Sequence, residues 1–389
     1  MANTGRLSER TYPGETKVPA RTEVTPPCGA DSSDVAQIRL QRGRAAGLNM
    51  PGRFEREGRE IVDDGWGSLD DLPLLKTEVQ VEAARRIITR NESPDISFDR
   101  SINPYRGCEH GCIYCFARPS HAYMGLSPGL DFETKLFAKP NAAELLAREL
   151  SAPGYKVKTI AIGTNTDPYQ PIERRMRIMR EVLEVLQRAR HPVGIVTKSA
   201  LILRDLDILS DMAADGLVKV ALSVTTLDRK LARALEPRAA TPPRRLEAVR
   251  ALSEAGIPTS VMLAPLIPAL NDEEIERILE AAHDHGAREA GYILLRLPME
   301  VSPLFRDWLL RNYPDRYRRV MSVLKSMRGG KDYDAEWGKR MRGEGPYAVQ
   351  IGKRFELAAK RLGLNHRRKR LRDDLFIPPL KGAVQLDLF

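Results

Sequence analysis

Val157-Lys158-Thr159-Ile160-Ala161-Ile162 reads as a buried strand, and the segments after it decide the fold. A loop punctuated by Gly and Pro leads into a long helix, Glu173 to Arg190, and then into a second strand, Val193 to Thr197. Within that helix Ile178, Val182, Val185 and Ala189 recur at i, i+4, i+7 and i+11, an apolar stripe that needs a core to face. The alternation continues through helix Arg204 to Ala214, strand Leu217 to Val224, helix Pro243 to Ala255 and strand Thr259 to Leu263. Helix Asp272 to His285 and strand Gly291 to Arg296 complete it. Counting an opening strand that begins at Ile96-Ser97-Phe98 and ends at the cysteine loop gives about six β/α units, which call for a parallel sheet with helices packed outside. Full closure takes eight units, so the pattern predicts an open, partial (β/α)6 barrel. In such sheets the chemistry collects at the carboxyl ends of the strands, where the loops converge.

Outward from this core, residues 76–300, the pattern changes on both sides. Residues 1–75 are rich in Arg, Gly, Pro, Ser and acidic residues without periodicity, the composition of a flexible arm. A short helical pattern near Val81 to Ile88 joins the arm to the core. Residues 301–364 predict a helical extension, with helices in Pro303 to Leu324 and Gln350 to Leu362. Residues 365–389 form a basic, then proline-containing tail expected to be mobile. The 389 residues, 42% of them hydrophobic, suffice for a sizeable core. No apolar run of about 18 residues suggests a membrane helix, and Met1 to Pro13 lacks a secretory pattern. A cytoplasmic protein is expected. The net charge of +10 suits an anionic partner such as DNA, and equally a solvated arginine-rich surface.

Three of the four cysteines stand at Cys108, Cys112 and Cys115, a C-x3-C-x2-C spacing in Cys108-Glu109-His110-Gly111-Cys112-Ile113-Tyr114-Cys115. A disulfide framework spreads its cysteines in pairs, whereas clustered thiols indicate a metal site. Three thiolates can each take one iron of a 4Fe–4S cubane and leave the fourth iron open to an incoming ligand. The alternative is zinc, with His110 or His121 as fourth ligand, but structural zinc favours paired cysteines on small ribbons.

With an aromatic residue before its last cysteine, this loop resembles the signature of the radical S-adenosylmethionine (SAM) superfamily. Asn103-Pro104-Tyr105-Arg106-Gly107-Cys108, Cys115-Phe116-Ala117-Arg118-Pro119 and Gly125 through Glu133 are similar to a bacterial branch related to spore photoproduct lyase. The resemblance covers roughly residues 95–365. It implies a 4Fe–4S cluster on the three cysteines, SAM on the open iron, an electron donor such as flavodoxin or ferredoxin, and a 5′-deoxyadenosyl radical as the product of SAM cleavage. Tyr114 then contacts the adenine. The loop Gly163 to Pro171 occupies the place of the amino-group-binding Gly-Gly-Glu, which is missing, so Asn165, Thr166 or Asp167 serves instead, unless these are ordinary turn residues. Lys198 stands where lyase-like relatives neutralise the SAM carboxylate. Ser223 and Thr225 are ribose or methionine contacts, or else helix-capping hydroxyls. Arg296 faces either the pocket or solvent.

The substrate is less legible. The lyase needs a cysteine in the loop after its second strand, and Gly163 to Pro171 contains none. Only Cys28 remains, in the arm, so Tyr105, Tyr123 and Tyr169 are the alternative hydrogen donors. The terminal Gln385-Leu386-Asp387-Leu388-Phe389 resembles the pentapeptide by which DNA-maintenance proteins dock on the bacterial sliding clamp, with Gln385, Leu386, Leu388 and Phe389 as contacts. Arg367-Arg368-Lys369-Arg370 just upstream suits a phosphate backbone or a solvated charge run. Together these point to a radical enzyme of lyase or transferase type, acting in DNA repair or nucleic-acid modification. The rivals are a radical enzyme acting on a protein or small molecule, and a DNA-associated iron–sulfur protein without turnover.

Overall fold

The computed structural model describes residues 43–55, 76–366 and 369–379. Short strands β1 (Glu78–Val81), β2 (Ile88–Arg90), β3 (Arg100–Ile102) and β4 (Tyr105–Arg106) come first. The cysteine loop comes next, then α1 (Leu130–Thr134), β5 (Lys135–Ala138) and α2 (Ala142–Leu150). Regular alternation starts with β6 (Ile160–Ile162), α3 (Glu173–Met176), α4 (Ile178–Arg188) and β7 (Val193–Thr197). It continues through α5 (Leu206–Ala214), β8 (Val218–Ser223), α6 (Arg229–Leu235) and α7 (Pro242–Glu254). Strand β9 (Thr259–Leu266), α8 (Ile275–Asp284) and β10 (Glu289–Leu294) complete it, and α9 (Val301–Asn312), α10 (Pro314–Ser326) and α11 (Gly345–Arg361) form the helical extension.

The main sheet has the order β10-β9-β8-β7-β6-β3-β2. Strands β3 and β6 to β10 run parallel, and β2 joins β3 antiparallel. Neither edge pairs with the other, so the sheet is the open six-unit barrel that the alternation calls for. Alternate strand residues, Ile195, Val220 and Val261 among them, are buried in one core with the stripe Ile178, Val182, Val185 and Ala189.

Several expectations are corrected. Val81 to Ile88 is no helix: it spans the end of β1 and the start of β2, whose partners β5 and β3 are supplied from elsewhere in the chain. The opening strand is β3, inside the expected span but starting at Arg100 rather than Ile96, after a turn in which the Asn91 and Ser93 side chains capture the N–H groups of Ser93 and Asp95. The long helix breaks at Arg177, whose φ of 53° ends α3. Beside that break the buried Glu173 carboxylate accepts the Met179 N–H (3.2 Å) and an Arg204 N–H (2.7 Å). Part of the supposed arm, residues 43–55, packs on the cysteine loop. The tail is anchored as far as Pro379: Ile377 N–H donates to Ala189 O (2.9 Å) and Phe376 meets the rings of Tyr155 and His191. Cys28, Arg367, Arg368 and the clamp-like peptide Gln385 to Phe389 lie outside the described residues.

Two consequences are measurable. Gly163, just past β6, has φ +87°, and a Cβ there would stand 2.0 Å from Val196 O. Backbone does not yield to that approach, so Gly163→Ala is expected to lose about 3 kcal/mol in denaturant unfolding. His191 is fully buried between Pro192 O (Nδ1, 3.0 Å) and the Tyr155 hydroxyl (Nε2, 2.9 Å), and burial lowers its pKa from 6.5 to about 4. Between those values the unfolded chain binds the extra proton, so stability falls as pH is lowered. From pH 7 to 5 the loss is expected to be about 2 kcal/mol, and His191→Phe should flatten that slope.

Candidate active site around the cysteine loop

Between β4 and α1 the chain makes a tight loop that opens with Gly107 and turns again at Gly111, both left-handed (φ +72° and +65°). A Cβ on Gly111 would meet Glu133 Oε2 at 2.8 Å. The loop is clamped from below by Arg118 and Glu133, both fully buried and paired at 2.6 Å. Arg118 also donates to Cys112 O (2.9 Å), Gly111 O (3.1 Å) and Gly129 O (2.9 Å). Glu133 in turn accepts the N–H groups of Ala45 and Ala46, which seats the 43–55 segment. Buried Gln170 holds the other side, accepting Glu109 N–H (2.8 Å) and donating to Gly107 O (3.2 Å). From α6, Leu235 O takes the Ile113 N–H (3.1 Å).

The result is that Cys108 and Cys112 are buried, with Cys115 partly exposed, and that the three thiols act on one another electrostatically. Burial pushes the Cys112 thiol up to about 12, with Lys198 and Arg245 pulling the other way. Burial raises Cys108 as well, with Asp167 and the other two thiols adding to it. Thiols whose ionisation is opposed by desolvation and by one another fit a cationic metal cluster, whose charge favours the thiolate. Among the described residues no three His, Cys, Asp or Glu side chains converge closely enough to hold one ion. A cubane needs no such convergence, since each thiolate takes its own iron corner. His121, the zinc alternative, is tied through Nε2 to Lys135 O (2.9 Å), and His110 faces Asp167 at 3.4 Å.

The predicted residues at the strand ends surround this loop. Tyr114 is buried, with its hydroxyl on Glu236 and 3.4 Å from Thr225 Oγ1. The Lys198 ammonium lies 5.8 Å from the centre of the Tyr114 ring. Burial works against its charge, but Cys112 and Glu236 outweigh that and raise its pKa. No hydrogen bond or ion pair from the ammonium joins it to the described residues. Among the described residues Asn165 makes only a backbone bond, its N–H donating to Asn103 Oδ1 (3.1 Å), which leaves the side-chain amide available.

The other candidates are committed within the protein. Asp167 accepts from Thr197 Oγ1 (2.7 Å), Lys198 N–H (2.7 Å) and Tyr169 N–H (2.9 Å). Burial opposes its charge, yet these donors and the His110 ring hold its pKa well below the usual carboxylate range. Thr166 Oγ1 donates to Tyr105 O (3.1 Å). Ser223 Oγ donates to Ala264 O (3.2 Å), and Thr225 Oγ1 donates to Glu236 (2.6 Å). These side chains brace the site, and their oxygens are engaged.

Glu236 and Arg245, which sequence reasoning missed, form the floor. They pair directly, both fully enclosed, and Arg245 also donates to Ser223 O (2.9 Å) and Ala240 O (2.7 Å). Of the tyrosines, Tyr105 is buried on Glu173 and Tyr169 on Asp205, whereas Tyr123 is 71% exposed beside the loop. Arg296 faces the site, its guanidinium carbon 4.4 Å from the centre of the Phe116 ring.

An open α/β barrel that gathers three thiols, two of them buried, at the carboxyl ends of its strands defines a cluster-bearing enzyme of the (β/α)6 class. The Radical SAM superfamily profile matches residues 102–282, from β3 through α8. An uncharacterized protein of Mycobacterium bovis is 38% identical over 230 residues, 58% of this chain and 68% of that protein. An uncharacterized protein of Methanocaldococcus jannaschii is 26% identical over 245 residues, 63% of this chain and 87% of that protein. Among solved structures, a cysteine-to-serine mutant of spore photoproduct lyase superposes with a TM-score of 0.53 at 15% identity, covering 74% of this chain and 80% of that one. A double mutant of the same lyase, with bound AdoMet and dinucleoside spore photoproduct, gives 0.52 at 13% over the same shares. The chain belongs to the radical SAM superfamily, whose members use a 4Fe–4S cluster and SAM to generate radicals. No helix among the described residues is long and apolar enough to cross a membrane.

Proposed function

We propose that this enzyme cleaves SAM reductively to act on a nucleic acid, in DNA repair or base modification. Cys108, Cys112 and Cys115 would hold the cluster. When bound, the cluster supplies the electron that cleaves SAM to methionine and a 5′-deoxyadenosyl radical. Lys198 neutralises the SAM carboxylate, Tyr114 contacts the adenine, and the Asn165 amide takes the amino group or ribose. Asp167, Thr166, Ser223, Thr225 and Glu236 act one step back, fixing the loops that carry those groups. Buried Cys112 and Tyr114, together with Ala45 and Ala46 of the 43–55 segment packed against them, keep water from the radical.

The single observation behind the SAM site is Lys198, an ammonium beside Cys112 and Tyr114 that makes no hydrogen bond or ion pair among the described residues, while Glu236 and Asp167 act on it only at a distance. Nucleic acid is favoured by the net charge of +10 and by the likeness to a lyase solved with a dinucleoside photoproduct. The clamp-like peptide Gln385 to Phe389 adds a docking route to replicating DNA, tested by whether its deletion abolishes clamp binding.

Anaerobically reconstituted protein, with reductant and SAM, should release 5′-deoxyadenosine faster with DNA or RNA present than with peptides. Cleavage stimulated only by peptides or small molecules would refute the nucleic-acid reading. No cleavage at all would leave the rival of a DNA-associated iron–sulfur protein.

A further inference from the structure

Arg296 lies two residues past β10 with its guanidinium carbon over the ring of Phe116, 4.4 Å from the ring centre; Phe116 follows Cys115 and is 44% exposed. Among the described residues its guanidinium has no hydrogen bond or ion pair. The arginines around it are occupied. Arg340 pairs with Asp95 (2.5 Å), Arg53 with Glu300 (3.4 Å), and Arg328 donates to Leu295 O (3.0 Å) and Lys339 O (2.8 Å). Arg340 and Arg328 also repel Arg296, and Tyr333, Cys115 and Asp95 favour its charge from a distance without pairing with it. Local charge is therefore in excess by at least one cation, held partly out of water. Such a cation needs an anion. Stacking covers the face of a guanidinium and leaves its in-plane N–H fork free, the geometry that takes a phosphate with two parallel bonds.

The rim beside it is aromatic. Phe54 is 58% and Tyr123 71% exposed, with the Arg53 guanidinium 5.3 and 5.1 Å from their ring centres. Met299, three residues on from Arg296 and 61% exposed, also meets Arg53 and links this rim to the Arg296 segment. Exposed rings interleaved with arginine are the surface on which unpaired bases stack.

We propose that Arg296 is the phosphate anchor of the substrate site, gripping the backbone of an unpaired strand while its bases lie on the Phe54–Tyr123 rim. This rests on the nucleic-acid reading above. Arg296 is a positioning and specificity residue: it holds the strand against the partly exposed Cys115 side of the loop, and Lys198 serves the Cys112 side.

The test uses the full-length reconstituted holoenzyme and a fluorescein-labelled single-stranded DNA oligonucleotide. Arg296→Gln should weaken binding about tenfold, and the salt dependence should flatten by about one counterion. Arg296→Lys keeps the charge but loses the stacked fork, and should recover only part of the affinity. SAM affinity and iron content should match the unsubstituted enzyme in both variants. Unchanged DNA affinity would overturn the anchor and leave the nucleic-acid reading standing, as would a loss of SAM affinity with DNA affinity intact. Failure of the unsubstituted holoenzyme to bind the oligonucleotide would overturn both. A tenfold loss confined to free phosphorylated small molecules would overturn the strand and assign the fork to a soluble substrate.

Discussion

Replacing Cys112 by alanine is expected to abolish SAM cleavage, with a fall of at least about a thousandfold, equivalent to about 4 kcal/mol of lost transition-state stabilisation. The thiol is buried, and burial pushes it up to about 12, so it is an inert thiol unless a metal stabilises its anion. With only three thiols in the loop, loss of one leaves two anchors for a four-iron cluster, and iron content should collapse along with activity. Cys108→Ala and Cys115→Ala are expected to behave the same way. Cys28→Ser should retain both iron and cleavage. Iron analysis and 5′-deoxyadenosine release read the two effects independently of the substrate.

Replacing Arg245 by methionine should be the most damaging change to the frame that holds the site, destabilising the fold by about 3–5 kcal/mol. Its partner Glu236 is 2% exposed and accepts from Arg245, from the Tyr114 hydroxyl and from Thr225. Removing the guanidinium strands a carboxylate in the core and also frees the Ser223 and Ala240 carbonyls. The cost lies in the uncompensated charge rather than in the pair itself. The double variant Glu236→Gln with Arg245→Met should therefore be more stable than Arg245→Met alone, a coupling that denaturant unfolding of all four proteins measures. A double variant at least as unstable as the sum of the singles would show that the pair is not the source of the loss.

The parts of this protein that repeat a local rule were legible in its sequence. Apolar runs alternating with helix-period stripes marked the parallel strands, because a buried parallel strand and its covering helix each carry their own signature. The grouping of the three thiols was legible because they stand close together along the chain, the spacing a cluster requires. Elements that depend on remote partners were not. Strands β1, β4 and β5 form a separate three-stranded sheet, and nothing in Glu78–Val81 names Lys135–Ala138 as its neighbour. The 43–55 segment reads as arm by composition, and its order comes from Glu133, some ninety residues away in sequence.

The site shows the same division. Asp167, Thr166, Ser223 and Thr225 do lie where the loops converge, yet a sequence cannot tell a hydroxyl that faces a ligand from one spent on Ala264 O. Glu236 carried no motif. A charged residue ending an amphipathic helix beside Pro237 usually marks solvent, and here it is the floor of the site. Arg118 and Glu133 fell inside the stretches that resembled the lyase branch, and their buried pairing gives those stretches a physical reason.

The proposed chemistry rests on Cys108, Cys112 and Cys115 holding the four irons of a cluster, with one corner free for the methionyl end of SAM. Electron paramagnetic resonance of the dithionite-reduced, anaerobically reconstituted protein, recorded with and without SAM, tests this directly. A reduced 4Fe–4S signal whose g-values shift when SAM is added is the predicted result. A protein that retains zinc in place of iron, or a cluster signal indifferent to SAM, would contradict it.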